Sequence, residues 1–290
     1  MTQLIQCVPN FSEGQRPEVM EAIVEAVRKT PGVRLADWSA DPDHNRIVVT
    51  FVGPPGAICA AARAACAVAV ERIDLRDHAG VHPRLGALDV LPLVPLAGIS
   101  LAECANLARE LGRELAAIHA LPVFLYEATA QAGHTLPFVR KEAFHALTPD
   151  FGPHAPHPSA GAAVVGARGP LIAYNVNLAT PELRAAKIIA RELREGGGAG
   201  FVGVRTLGLS LPSRHLSQVS MNITRPDQTP LLAVFSYIAR RATELGTEVL
   251  ESEVIGALPG YSAFGVLGDA LRAANLKPEQ VLWENWPNTH

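Results

Sequence analysis

A net charge of either sign is what this sequence most lacks. Its 25 basic and 28 acidic side chains nearly cancel, leaving −3. It therefore carries neither the basic field that gathers nucleic acid nor one that would hold it to an anionic membrane surface. Long hydrophobic runs are missing too, and none approaches the roughly 20 residues needed to cross a bilayer. The opening MTQLIQCVPNFSEG has no basic segment leading into a long apolar core, so it does not read as a signal peptide. Cysteine is scarce: Cys7, Cys59, Cys66 and Cys104 show no CxxC or zinc-finger spacing. Cys59 and Cys66 fall on one expected helix, roughly 10 Å apart at about 1.5 Å per residue, beyond disulfide reach. Reduced, buried thiols in a cytoplasmic protein are expected. What is present is an ample hydrophobic share, 48%, much of it Ala and Val, in 290 residues. A core of that size usually divides, so two domains are expected.

Periodicity supplies the elements. Leu4–Val8 reads as a strand and Arg16–Lys29 as a helix with Val19, Ile23 and Val27 on one face. Val33–Trp38 and Ile47–Val52 read as strands joined by the polar loop SADPDHNR, and Gly53-Pro54-Pro55 opens an Ala-rich helix to Ile73. Ala87–Pro95 is a strand, Ser100 caps a helix to Ile118, and Pro122–Tyr126 is a strand. A Pro/His-rich loop, Pro149–Pro158, breaks the pattern, which then restarts. Strands are expected at Ala162–Gly166, Leu171–Leu178, Phe201–Leu207, Leu216–Ile223 and Val249–Ile255, with helices at Pro181–Arg194, Thr229–Leu245 and Ser262–Ala273. Each half thus runs strand, helix, strand, strand, helix, strand, the order of a split β-α-β unit with helices on one face. The fold class is α/β (α+β): two subdomains, 1–169 and 170–290, each a mixed β-sheet with helices on its outer face. Two such sheets would face each other across a cleft, a favoured ligand site.

Several segments carry chemistry-bearing residues. Gly198-Ala-Gly200-Phe-Val-Gly203 spells GxGxxG, but that fingerprint needs a strand before it and a helix after. Here the order is reversed, so a glycine-rich connection is expected and no nicotinamide cofactor. Ile73–Leu93 packs Asp77, His78, His82, Arg84 and Asp89 between an apolar helix and an apolar strand. Gly80 and Pro83 place His82 on a rigid loop, the kind of position that carries function more often than a core segment. His78 and His82 have the four-residue spacing of helical metal ligands, but Gly80 and Pro83 oppose a helix and no metal is expected. Asp37, Asp41, Asp43, His44, Asn45 and Arg46 surround one strand connection; this is either a solvated hairpin or the source of an acid and an Arg beside His82. Asn175 and Asn177 share a strand face, where solvent exposure is the simpler account and lining of a polar cleft the other.

CVPNFSEG (Cys7–Gly14), DHNR with TFVGPP (Asp43–Pro55) and HAGVHPRLGALDV (His78–Val90) together resemble the formiminotransferases. PDFGP, GAR and LIAYNVNL (Leu171–Leu178) continue the likeness in order, over residues 1 to about 195. Those enzymes move a formimino group from N-formimino-L-glutamate to tetrahydrofolate in histidine degradation. The resemblance implies His82 as the catalytic histidine. It implies a folate-binding loop made of Gly152, Pro153, His154, Ala155, Pro156, His157, Pro158, Ser159, Ala160 and Gly161. It also implies folate between two facing sheets, and a cytoplasmic homodimer. Composition alone would make that loop a surface linker. Animal members also carry a cyclodeaminase domain, and no cyclodeaminase activity is expected of this chain. They carry an acid where this chain has Ser39, so Asp37 or Asp41 is the expected substitute, and their folate loop carries aromatics where this one offers His154 and His157.

The residues suit that chemistry. Tetrahydrofolate N5 must lose a proton as it attacks the amidine carbon, and the glutamate nitrogen must gain one as it leaves. A His near its free pKa of about 6.5 can do both, and Arg46 and Arg84 are the candidates for the glutamate carboxylates. Tetrahydrofolate is then a co-substrate, and neither nucleic acid nor membrane is a partner. An N-formyl-glutamate transferase is the nearest alternative. A folate-binding protein without catalysis, and a metal-dependent hydrolase built on His78 and His82, are the others.

Overall fold

The computed structural model describes residues 3–131, 134–258 and 260–271. The chain divides into two compact units, one running to Pro170 together with Ile255–Ala257, the other from Leu171 to Val254 with the segment from Leu258 onward.

The first unit contains strands β1 (Leu4–Cys7), β2 (Asn10–Phe11), β3 (Arg34–Asp41), β4 (Arg46–Gly53), β5 (Leu88–Ala97), β6 (Val123–Glu127) and β7 (Ala163–Ala167). Its helices are α1 (Pro17–Arg28), α2 (Pro55–Arg72), α3 (Leu101–His119) and α4 (Leu136–Glu142). The sheet order is β1-β4-β2-β5-β7-β6, with β3 alongside β4. Pairings among β1 to β5 are antiparallel, whereas β5–β7 and β7–β6 are parallel.

Alternation explains the layers. Ile47, Val49 and Phe51 of β4 are fully buried in one core with Ile23, Val24 and Val27 of α1 and Ile58, Ala62 and Ala65 of α2. The small side chains of α2 let it pack closely under the sheet. Ser100 and Glu103 form a capping box at the start of α3, which satisfies amides that would otherwise lack partners. Phe124 and Tyr126 of β6 point the other way, into a second cluster with Val139 and Ala143 at α4.

That second cluster departs from expectation, because α4 covers a face that was to have no helix. It is only seven residues long, too short for a helical period to stand out. Its signals are local ones, the Thr135 cap and the proline in its first turn. The strand expected just before the boundary at residue 170, β7, lies between β5 and β6 in the first sheet. Parallel pairing over that separation leaves no mark in the local pattern, so the first unit is larger than a single split β-α-β unit.

The second unit follows the expected order. Strands β8 (Ile172–Leu178), β9 (Val204–Leu211), β10 (Leu216–Ile223) and β11 (Val249–Ile255) form a sheet ordered β11-β8-β10-β9. Helices α5 (Leu183–Leu193), α6 (Leu231–Glu244) and α7 (Gly260–Leu271) connect and follow them. The expected end of the last helix at Ala273 lies outside the described residues. Tyr174, Val176 and Leu178 pack on Ile189, Leu193, Val234 and Ile238. The GxGxxG run joins α5 to β9, with Gly200 and Gly203 at positive φ, the conformation a side chain would strain.

Candidate active site

Two loops of the first unit meet beside β5. The first, His78–Leu85, is seated on the turn of the β3–β4 hairpin. Asn45 lies in the left-handed region at φ 48°, which Asn tolerates better than most residues. Its Oδ1 accepts from the Gly14 amide at 2.8 Å and its Nδ2 donates to the Ala79 carbonyl at 2.9 Å. The Val81 amide donates to the Asp43 carbonyl at 3.0 Å. A Cβ on Gly80 would stand 2.5 Å from the His44 carbonyl oxygen, so only glycine permits this approach. Arg84 braces the same loop. Its Nε and Nη2 donate to the His82 carbonyl at 3.2 and 2.8 Å, and Nη2 also reaches the His44 carbonyl at 3.1 Å. Its Nη1 lies against the His78 ring.

Asp89 organises the chemistry. Asn10 pairs with Val90 and Phe11 with Leu88, so Asp89 is the extra residue of a β-bulge, a device that re-aims a side chain. Its carboxylate is wholly buried. Arg46 Nη1 and Arg140 Nη2, the latter from α4, both donate to Oδ2 at 2.5 Å, and the Leu85 amide donates to Oδ1 at 2.7 Å. Burial would raise the Asp89 pKa, but the charges of Arg140 and Arg46 and the Leu85 amide outweigh it and hold the group well below the usual carboxylate range. Burial lowers Arg46 to about 10, still charged at neutral pH. Its Nε donates to Asn10 Oδ1 at 3.0 Å.

His82 sits against this network. Its Nδ1 is 2.8 Å from the Pro83 carbonyl and 3.2 Å from Arg46 Nη1. Nδ1 cannot donate to the first and accept from the second, and we assign the proton to Nδ1 from the shorter contact. Nε2, which then carries the lone pair, has no hydrogen-bond partner among the described residues. Burial, followed by the charges of Arg46 and Arg140, lowers the pKa of His82 well below 6.5, with Asp89 opposing. The ring is thus a neutral base at physiological pH, with one nitrogen fixed and the other open. His78 is also lowered, by burial and then by Arg84, and its Nε2 is 3.2 Å from the Asn45 carbonyl.

The second loop, Gly152–Gly161, is tied down at its far end. Ser159 and Ala160 carbonyls accept from the Leu75 and Ala87 amides at 2.8 and 2.9 Å, and the Ala162 amide donates to the Leu85 carbonyl at 3.0 Å. His157 and Gly161 exchange both backbone hydrogen bonds. His157 Nδ1 accepts from the Ala160 amide at 3.0 Å. Gly152 and Gly161 have positive φ, 84° and 67°, and each abuts a carbonyl oxygen where a side chain would collide. Pro153, His154, Ala155 and Pro156 are exposed. Through Leu85, Gly86 and Ala87 this loop is joined to the segment bearing His82.

Not every candidate joins the cluster. Asp37 is exposed on β3, beside β4, and Ser39 lies on the same strand opposite Val48. Asp41 accepts from the His44 amide at 2.7 Å and so shapes the hairpin. Asn175 and Asn177, expected to be exposed, are both buried. Asn177 donates to Glu251 and Glu253 at 3.0 Å and accepts from Gln218 at 3.0 Å; the carboxylates of β11 replace solvent. Among the described residues no group of three or more His, Cys, Asp or Glu could hold a metal ion, and no helix is long and apolar enough to cross a membrane.

Residues 4–168 match the formiminotransferase domain, N-terminal subdomain, and residues 173–266 match the formiminotransferase domain. The chain belongs to the formiminotransferase family. It is 37% identical to the glutamate formimidoyltransferase of Streptococcus pyogenes serotype M1, over 98% of this chain and 99% of that one. It is 37% identical to the glutamate formimidoyltransferase of Thermoplasma acidophilum, over 91% and 90%. The formimidoyltransferase-cyclodeaminase of Rattus norvegicus is 41% identical over 89% of this chain and 51% of its own length. Within this formiminotransferase fold, the partnership of Asp89 with Arg140 is what the sequence reading missed. The one available signal was a lone Asp inside the apolar run LDVLPL, which demands a buried cation.

Proposed function

We propose that the chain is a cytoplasmic glutamate formimidoyltransferase, moving the formimino group of N-formimino-L-glutamate to N5 of tetrahydrofolate in histidine degradation. The observation that carries this is the likeness to the Streptococcus enzyme along nearly the whole of both chains. His82 is the catalytic residue. As N5 attacks the amidine carbon, Nε2 accepts the N5 proton. It returns that proton to the glutamate nitrogen as the carbon–nitrogen bond to glutamate breaks. The Nδ1–H bond to Pro83 keeps the ring in the tautomer this requires. Neighbouring guanidiniums disfavour the imidazolium, which keeps the base free and the proton mobile.

Tetrahydrofolate, as co-substrate, lies against Gly152–Gly161, whose prolines and backbone bridges reduce the ordering lost on binding. Arg46 is the stronger candidate for a donor carboxylate, because Arg84 already spends its donors on the His82 loop. Asp37 and Asp41 are the candidates for the acid that Ser39 replaces. The protein is a homodimer on the family likeness, and a monomer by light scattering at micromolar concentration would refute that.

The test is to supply tetrahydrofolate with each donor and identify the product by mass. Transfer from N-formimino-L-glutamate is expected. Turnover with N-formyl-glutamate alone, or binding of folate with no turnover, would overturn the reading.

A further inference from the structure

The Asp89 cluster is unbalanced. Two guanidiniums meet one carboxylate, and both donate to the same oxygen, Oδ2, at 2.5 Å. Three charged groups with a net charge of +1 therefore lie together, with Asp89 wholly buried and Arg46 and Arg140 side chains only 10% and 17% exposed. Such a triad is a poor way to fasten α4 to the sheet, since well-packed apolar groups of the same volume hold as well or better. The second observation is a donor left over. Arg140 Nε is buried and has no hydrogen-bond partner, and its guanidinium uses only Nη2 on Asp89. An unpaired buried N–H of a charged group costs several times what an exposed one does. The third is position: Arg140 is near enough to His82 to add to the cationic surroundings of that ring.

We propose that Arg140, together with Arg46, binds a carboxylate of the glutamate-bearing donor. Asp89 then orients the two guanidiniums, each through one nitrogen, and the substrate supplies the second negative charge. Each guanidinium is a planar fork, and the donors that Asp89 does not use suit a second carboxylate group. The donor's charged end is thereby held beside the histidine that acts on its amidine. Arg140 is a binding residue, distinct from the positioning residue Asp89, and it comes from a helix that lies outside the motifs carrying the sequence resemblance. The proposal rests on the functional reading above for the identity of the donor, but not for the presence of a carboxylate site.

Arg140→Gln and Arg140→Lys separate the possibilities. With N-formimino-L-glutamate and tetrahydrofolate, Arg140→Gln should raise the donor KM about ten- to hundredfold, the loss of a charge-assisted pair. The tetrahydrofolate KM should stay within about twofold, and Arg140→Lys should recover part of the loss because it keeps the charge. Glutarate, a plain dicarboxylate probe, should bind the wild type by calorimetry and bind Arg140→Gln at least tenfold more weakly. An unchanged donor KM and unchanged glutarate binding would overturn the proposal, as would a parallel rise of both KM values with a lowered Tm, the mark of a structural anchor. If the wild type transferred no formimino group, the functional reading would fail instead, and glutarate binding would still decide the role of Arg140.

Discussion

The two loops that meet beside β5 are alike in composition and unlike in construction. His78–Leu85 and Gly152–Gly161 are both rich in Gly, Pro and His. The first is held mainly by side chains: Asn45 reaches across to it, its own Arg84 reaches back to the His44 carbonyl, and Gly80 allows the hairpin to approach. The second is held mainly by its own backbone and that of Leu75, Leu85 and Ala87, which leaves Pro153 to Pro156 exposed. A loop fixed through side chains can place one imidazole to within a fraction of an ångström. A loop fixed through its backbone offers a stiff surface and leaves its side chains to face a partner. On the proposed roles, that difference separates catalyst from platform where composition cannot.

Breaking the first loop at its one reactive group should have the largest effect. His82→Ala should lower kcat about a hundredfold or more, the usual contribution of one positioned acid–base group, while tetrahydrofolate binding changes little. Near-normal turnover in a folded variant would move the proton transfer to Asp37 or Asp41. Replacing Gly152–Gly161 with a Gly/Ser segment of equal length should weaken tetrahydrofolate binding about tenfold by restoring the ordering cost, with kcat less affected. Equal affinity by calorimetry would place folate elsewhere.

The pH profile sharpens the contrast further. On the proposed mechanism His82 acts unprotonated, and its pKa is lowered by burial and by Arg46, so the acid limb of kcat/KM should fall below 6.5, and a midpoint at or above that value would contradict the assignment. The same shift acts on stability: between the folded-state pKa and 6.5 the unfolded chain binds more protons at this residue, so stability should decline as pH falls through that window. The smallest effect is expected at His78. His78→Ala removes a ring that touches Arg84 and the Asn45 carbonyl but no reacting atom, so kcat should change by about twofold. A loss as large as that of His82→Ala would favour a metal held by both histidines.

The sequence was most informative where structure is local. The bounds expected for β10 and β11 are those found, because alternation and flanking turns mark both ends. The capping of α3 by Ser100 was equally plain. The candidate site was half legible. His82 and Arg46 stood out and do meet, 3.2 Å apart, although 36 residues separate them. Arg140 did not, because the contact that defines it spans 51 residues and its short helix leaves no periodic trace. Asp41 shows the opposite limit, since an acid in a charged turn serves the turn itself. Composition cannot distinguish that from a place in the site.

The position of β7 also bears on how the chain comes to be folded. As the polypeptide emerges, β5 and β6 are complete while the strand that lies between them has yet to be synthesised. Each then presents an open edge of unpaired amides and carbonyls, apolar on both faces, the kind of surface that recruits other chains. In the second unit β9 and β10 follow each other directly, and the strand that waits is β8, one edge of which is closed only by β11. On the nascent chain, the larger sheet is therefore exposed to misassociation until Ala167 has cleared the ribosome, and long-range parallel closure makes that a slow step of its assembly.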